Sequence, residues 1–124
     1  MSYLTAADIK SNLSQGFDIS QYLTEADAEI VDLAEILGVR DTTLIETPLA
    51  YKIKRYAVVF VLMRLAQDKI GTVTQDVAME KYRDLYDLYK AELRDLKPQI
   101  TYEMMTGSVN SMLGRTAVYN LYRG

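Results

Sequence analysis

Apolar residues recur along this chain at helical rather than alternating spacing. Between residues 24 and 37, Ala26, Ile30, Val31, Leu33, Ala34 and Leu37 fall on one face of a helix, with acidic residues on the other. Thr24 before Glu25, Ala26 and Asp27 predicts an N-cap with acids in the first turn, and Gly38 predicts a left-handed stop. Upstream, Thr5 with Asp8 three residues on predicts a shorter first helix through Ala6, Ala7, Ile9 and Leu13, ending near Gly16.

After the connection GVRDTTLIET, Thr47 and Pro48 predict a helix start with proline in the first turn. The run onward to Gly71 contains YAVVFVLM, which in isolation reads as well as a buried strand. Its capping and unbroken length favour one helix of about 23 residues, roughly 35 Å long. That helix is apolar on nearly every side, so it must be enclosed by its own bundle or by neighbouring subunits. Thr74 predicts the cap of a last long helix, in which Met79, Tyr82, Tyr86, Tyr89, Leu93 and Leu96 form a stripe broadened by Leu85 and Leu88. Pro98 predicts its end.

From residue 99 the periodicity is lost. A helical turn is expected around residues 101–105, followed by an arm whose stretch TAVYNLY has strand propensity. The pattern as a whole predicts an all-α fold: a small bundle over residues 1–98, with two shorter N-terminal helices and two long ones, and a C-terminal docking arm over 99–124. No repeat of 20 to 50 residues occurs.

Length and composition change this picture little. A chain of 124 residues, 49% hydrophobic and 25% charged, has material for one core and no sign of wholesale disorder. The absence of cysteine excludes disulfides and thiolate metal sites, and the absence of histidine removes the usual general base, zinc ligand and nucleophile partner. No phosphate loop, metalloprotease, nucleophile-elbow or EF-hand motif is present. The expectation is a protein that is not an enzyme and needs no cofactor or metal. The sequence MSYLTAADIKSN does not read as a signal peptide, and the eight-residue run at 56–63 is too short for a bilayer that needs about 20 residues, so no membrane association is expected.

Charge is unevenly placed. Residues 1–47 carry nine acidic and two basic side chains, a balance of -7, whereas residues 48–124 carry eight acidic and twelve basic, a balance of +4. The halves can pair within one fold, or the acidic side of one subunit can face the basic side of the next. The overall charge of -3 argues against a dedicated nucleic-acid binder.

Individual clusters mostly have structural readings. Glu25, Glu29 and Asp32 form a ridge that is the ordinary polar face of a helix. Lys52, Lys54 and Arg55 suit ion pairs better than a nucleic-acid track, and Tyr82, Tyr86 and Tyr89 lie on an apolar stripe and so suit packing. The arm is different. Ordering it costs on the order of 18 to 36 kcal/mol of backbone entropy, so an ordered arm needs a substantial surface. Docking onto another chain is expected, with Met112, Leu113, Val118, Tyr119, Leu121 and Tyr122 as anchors and Arg115 and Arg123 as polar fixings.

A short helix, an acidic helix opened by YLTEADA, a long helix opened by TPLAYKIKRYAV, a second long helix and an arm together resemble the head-to-tail connector, or adaptor, proteins of tailed bacteriophages. The resemblance covers residues 3–97 as a helix pattern and the remainder as an arm, and it rests on layout rather than on diagnostic residues. It implies a homo-oligomeric ring, a dodecamer, below the portal in the virion neck, made in the host bacterial cytoplasm. It further implies an arm, here 107–124, reaching the portal protein, a stopper or tail protein on the opposite side, and DNA passing through the channel without sequence-specific binding. Residues 38–47 are the candidate tail-facing loop; Arg40, Asp41, Lys52, Lys54 and Arg55 are candidate subunit or tail-side contacts. The alternative from the residues alone is a cytosolic helical regulatory module that binds one partner protein through its arm.

Overall fold

The computed structural model describes residues 3–9, 18–72 and 76–107, and within these the side chains of 71, 72 and 76–78 are not described. Four helices follow one another: α1 (Ser20–Ile36), α2 (Tyr51–Thr72), α3 (Asp76–Leu96) and the short α4 (Tyr102–Thr106). Single 3-10 turns occupy Ala6–Asp8, Thr42–Leu44 and Lys97–Gln99, and no strand occurs among the described residues. The fold is the expected all-α bundle. YAVVFVLM lies inside α2 as helix, not strand.

α2 is the central element, packing against α1 and against α3. Its Ile53, Ala57, Val59, Val61, Leu65 and Ala66 are at most 1% exposed, as a helix apolar all round requires. Across the seam, α1 buries Tyr22, Ala26, Ile30, Leu33 and Ala34, with Val31 and Leu37 packed at its edge. Gly38, at φ +93°, ends α1 in the left-handed conformation expected of it.

Three boundaries differ from expectation. Thr24 is not a cap. The Asp18 carboxylate accepts from the Ser20 backbone N–H at 3.0 Å and from its hydroxyl at 2.6 Å, so α1 starts at Ser20 and the Thr24 hydroxyl turns back onto the Ser20 carbonyl. Glu25 and Asp27 therefore lie beyond the first turn, which holds no acid. Pro48 likewise stands ahead of its helix, in a bend with a cis Thr47–Pro48 peptide, and α2 begins at Tyr51 with Lys54 N–H donating to the Ala50 carbonyl at 2.9 Å.

The first helix is a single 3-10 turn. The Asp8 carboxylate does accept from Thr5 N–H at 2.8 Å, but Ile9 is extended (φ -94°, ψ 92°), which stops the helix at once. Leu4 and Ile9 are buried while Ala6 and Ala7 are exposed, so the segment is pinned at its ends rather than along an apolar face. The expected continuation through Leu13 to Gly16, and the Thr74 cap, fall outside the described residues.

The bundle does not end at Pro98. Ile100 (4% exposed) and Met105 (fully buried) belong to the core, and the Met105 carbonyl accepts from Glu46 N–H at 2.8 Å. The expected turn forms as α4, capped by the Thr101 hydroxyl and closed by Gly107 at φ +70°. Residues 99–107 are thus part of the bundle, because two large apolar side chains hold them there.

Candidate functional site

The basic group at the start of α2 is engaged within its own chain. Lys54 Nζ lies 3.0 Å from Asp8 Oδ1, which ties the N-terminal turn to α2. The Thr5 backbone N–H and then Lys54 hold the Asp8 carboxyl below its usual range. Arg55 makes a two-pronged contact with Glu92 on α3, Nε to Oε2 at 2.7 Å and Nη2 to Oε1 at 3.1 Å, and Glu92 in turn raises the guanidinium's pKa. Lys52 Nζ reaches Gln99 Oε1 at 2.8 Å. These cations lock elements together, as the ion-pair reading expects.

Beside them α2 carries a cleft of about 300 Å³, lined by Asp8, Tyr51, Lys54, Arg55, Val58 and Leu62. The lining repeats every three or four residues along α2, so one helix face provides the apolar floor, Val58 and Leu62, and the cationic rim. Such a cleft can hold an apolar side chain accompanied by carboxylates. It contains no paired acid and base and no activated nucleophile.

Arg40 and Asp41 lie in the connection after α1, and no hydrogen bond or ion pair joins them to the α2 group. Asp41 acts locally. It accepts from Thr43 N–H at 3.0 Å and from the Thr43 hydroxyl at 2.7 Å, capping the 3-10 turn, and these bonds lower its pKa. Arg40 is exposed.

Three members of the acidic ridge on α1 and its neighbours are likewise used. Glu25 pairs with Arg64 at 2.8 Å, Asp27 accepts from Tyr3 N–H at 2.8 Å, and Glu29 accepts from the Tyr56 hydroxyl at 3.4 Å. Burial first, and Glu29 second, push the Tyr56 phenol up to about 12. Asp32 and Glu35 have no such partner within the described residues, where no cluster of acidic side chains could hold a metal ion.

No protein-family model, curated protein or solved structure matches this chain. Its surfaces therefore have to be read on their own chemistry. Among the described residues no helix is long and apolar enough to cross a membrane.

The stripe on α3 is only partly covered. Leu93 is buried, Tyr82, Leu85, Tyr86, Tyr89 and Leu96 are half-buried against the core, and Met79 is half-buried. Leu88, expected to broaden the stripe, is 60% exposed because it lies beyond the edge that α2 reaches. Lys69 and Lys90 sit 5.6 and 5.7 Å from the ring centres of Tyr82 and Tyr86. The anchors expected in the arm, Met112, Leu113, Arg115, Val118, Tyr119, Leu121, Tyr122 and Arg123, lie outside the described residues.

Periodicity did not single out the exposed apolar residues Ile36, Leu44 and Tyr51. Ile36 had a legible signal, since it falls off the stripe of α1 and next to Asp32 and Glu35. Tyr51 had none, because its exposure depends on where α2 begins.

Proposed function

We propose that the chain is a structural head-to-tail adaptor of a tailed phage, forming a ring below the portal that joins the capsid vertex to the tail and continues the DNA channel. The supporting observation is the order of parts. A closed helical bundle, pinned through Ile100 and Met105, hands the chain over at Gly107 to seventeen further residues rich in apolar and aromatic side chains. In this reading the bundle is the ring body, the arm from 108 onward clamps the portal through Met112, Leu113, Val118, Tyr119, Leu121 and Tyr122, and residues 38–47 present Arg40 and Asp41 to a stopper or tail protein. DNA passes without base-specific contact, which suits a chain whose cations are largely spent on its own acids.

The work is geometric, and burial of apolar surface drives assembly while charge sets register. Mass measurement of the purified protein, alone and with portal rings from the genome that encodes it, tests this. Bound rings are expected on the portal. A chain that never joins a portal sinks the reading and leaves a module with some other single partner.

A further inference from the structure

We propose that the cleft on α2 receives the C-terminal end of α1 from a second copy of this chain, joining subunits head to tail. The cleft offers Val58 and Leu62 as a floor, Tyr51 as a wall that is 81% exposed, and Lys54 and Arg55 on the rim. On α3, one turn before the Glu92 that grips Arg55, the 60% exposed Leu88 extends the apolar strip. A groove of this kind takes an amphipathic helix that brings an apolar anchor flanked by carboxylates.

α1 ends in that pattern. Ile36 is 69% exposed, and Asp32 and Glu35 beside it on the helix surface are exposed and unpaired within the described residues. Ile36 fills the floor while the two carboxylates approach Lys54 and Arg55, which carry the positive side of the chain's -7 and +4 division. α1 cannot do this to its own cleft. Its buried stripe of Ala26, Ile30, Leu33 and Ala34 is already seated on α2, so the Asp32, Glu35 and Ile36 face points outward.

The two surfaces are different, so the contact is heterologous and propagates until a ring closes or a filament grows. It rests on the adaptor reading only in requiring a second copy; no portal is needed for it.

The chain has no cysteine, which permits a clean crosslinking test. The pair Ile36→Cys and Val58→Cys in one chain should oxidise to a ladder of covalent multimers, while either substitution alone stops at dimers. Asp32→Lys with Glu35→Lys, at exposed and unpaired positions, should cut the ladder at least tenfold. Salt near 1 M, where the screening length falls to about 3 Å, should weaken it too. A control pair, Ile36→Cys with Tyr102→Cys, should give no ladder.

The contact is overturned if the double variant stays monomeric at about 1 mM, or if its ladder is indifferent to the charge reversal. Rings on a portal without this ladder would overturn the contact and spare the adaptor reading; a ladder without portal binding would do the reverse.

Discussion

The two seams of α2 are built differently. Towards α1 it meets Ala26 and Ile30, both fully buried, together with Leu33 and Ala34, and Arg64 with Glu25 and Tyr56 with Glu29 close the edge. Towards α3 it meets one buried leucine and a row of half-buried tyrosines, held by the Arg55 and Glu92 pair. The first seam has spent its apolar surface on the fold. The second keeps surface in reserve, and beside it lies the cleft proposed to take a neighbouring subunit. Stability and assembly are therefore separated across one helix.

Mutation breaks or sharpens that contrast. Ile30→Ala or Ile53→Ala, each removing a fully buried side chain from the closed side, should cost about 2 to 5 kcal/mol in chemical denaturation. Leu88→Ala on the open side should stay within about 0.5 kcal/mol. Equal costs would abolish the distinction.

Alkali should attack the closed seam first. Tyr56 keeps its proton in the folded state up to about 12 but loses it near its ordinary value of 10 when unfolded. Its contribution is intact below pH 10 and is lost as pH rises towards 12, by about 2 to 3 kcal/mol at roughly 1.36 kcal/mol per unit. Tyr22 and Tyr3 are shifted in the same direction. Tyr56→Phe should flatten the fall between pH 10 and 12, and an unchanged profile would assign the loss elsewhere.

Gly107→Ala should cost about 1 to 2 kcal/mol, because φ +70° disfavours a side chain; the Glu46 carboxylate facing that position can swing aside. A double-mutant cycle on Arg55 and Glu92, both partly exposed, should return only about 0.2 to 1 kcal/mol.

Much of this architecture is legible in the residues, for reasons that are local. α2 is a helix because no strand runs so long without a turn signal, and the stripe of α1 and the stop at Gly38 follow from spacing and from glycine's freedom. Thr24 misleads because a threonine before acids looks like a cap, whereas Asp18 with Ser20 supplies a better one a turn earlier. Pro48 misleads because proline suits a bend as well as a first turn. Pairings such as Asp8 with Lys54, Arg55 with Glu92 and Glu46 with Met105 join residues 37 to 59 apart in sequence. Such partners are fixed only by the packing of α2, so no local pattern announces them. The hold on residues 99–107 escaped for the same reason: Ile100 and Met105 are too few to form a stripe.

The smallest effect on stability should come from the change with the largest effect on function. Deleting residues 108–124 should leave helical circular dichroism and melting temperature nearly unchanged, since the core already closes at Met105 and Gly107. The decisive measurement is electron microscopy of the intact and shortened chains mixed with portal rings from the encoding genome. A symmetric ring of this protein, coaxial with the portal channel and lost on truncation, is the predicted result. An undecorated portal with the intact chain, or rings that persist without residues 108–124, would contradict the account.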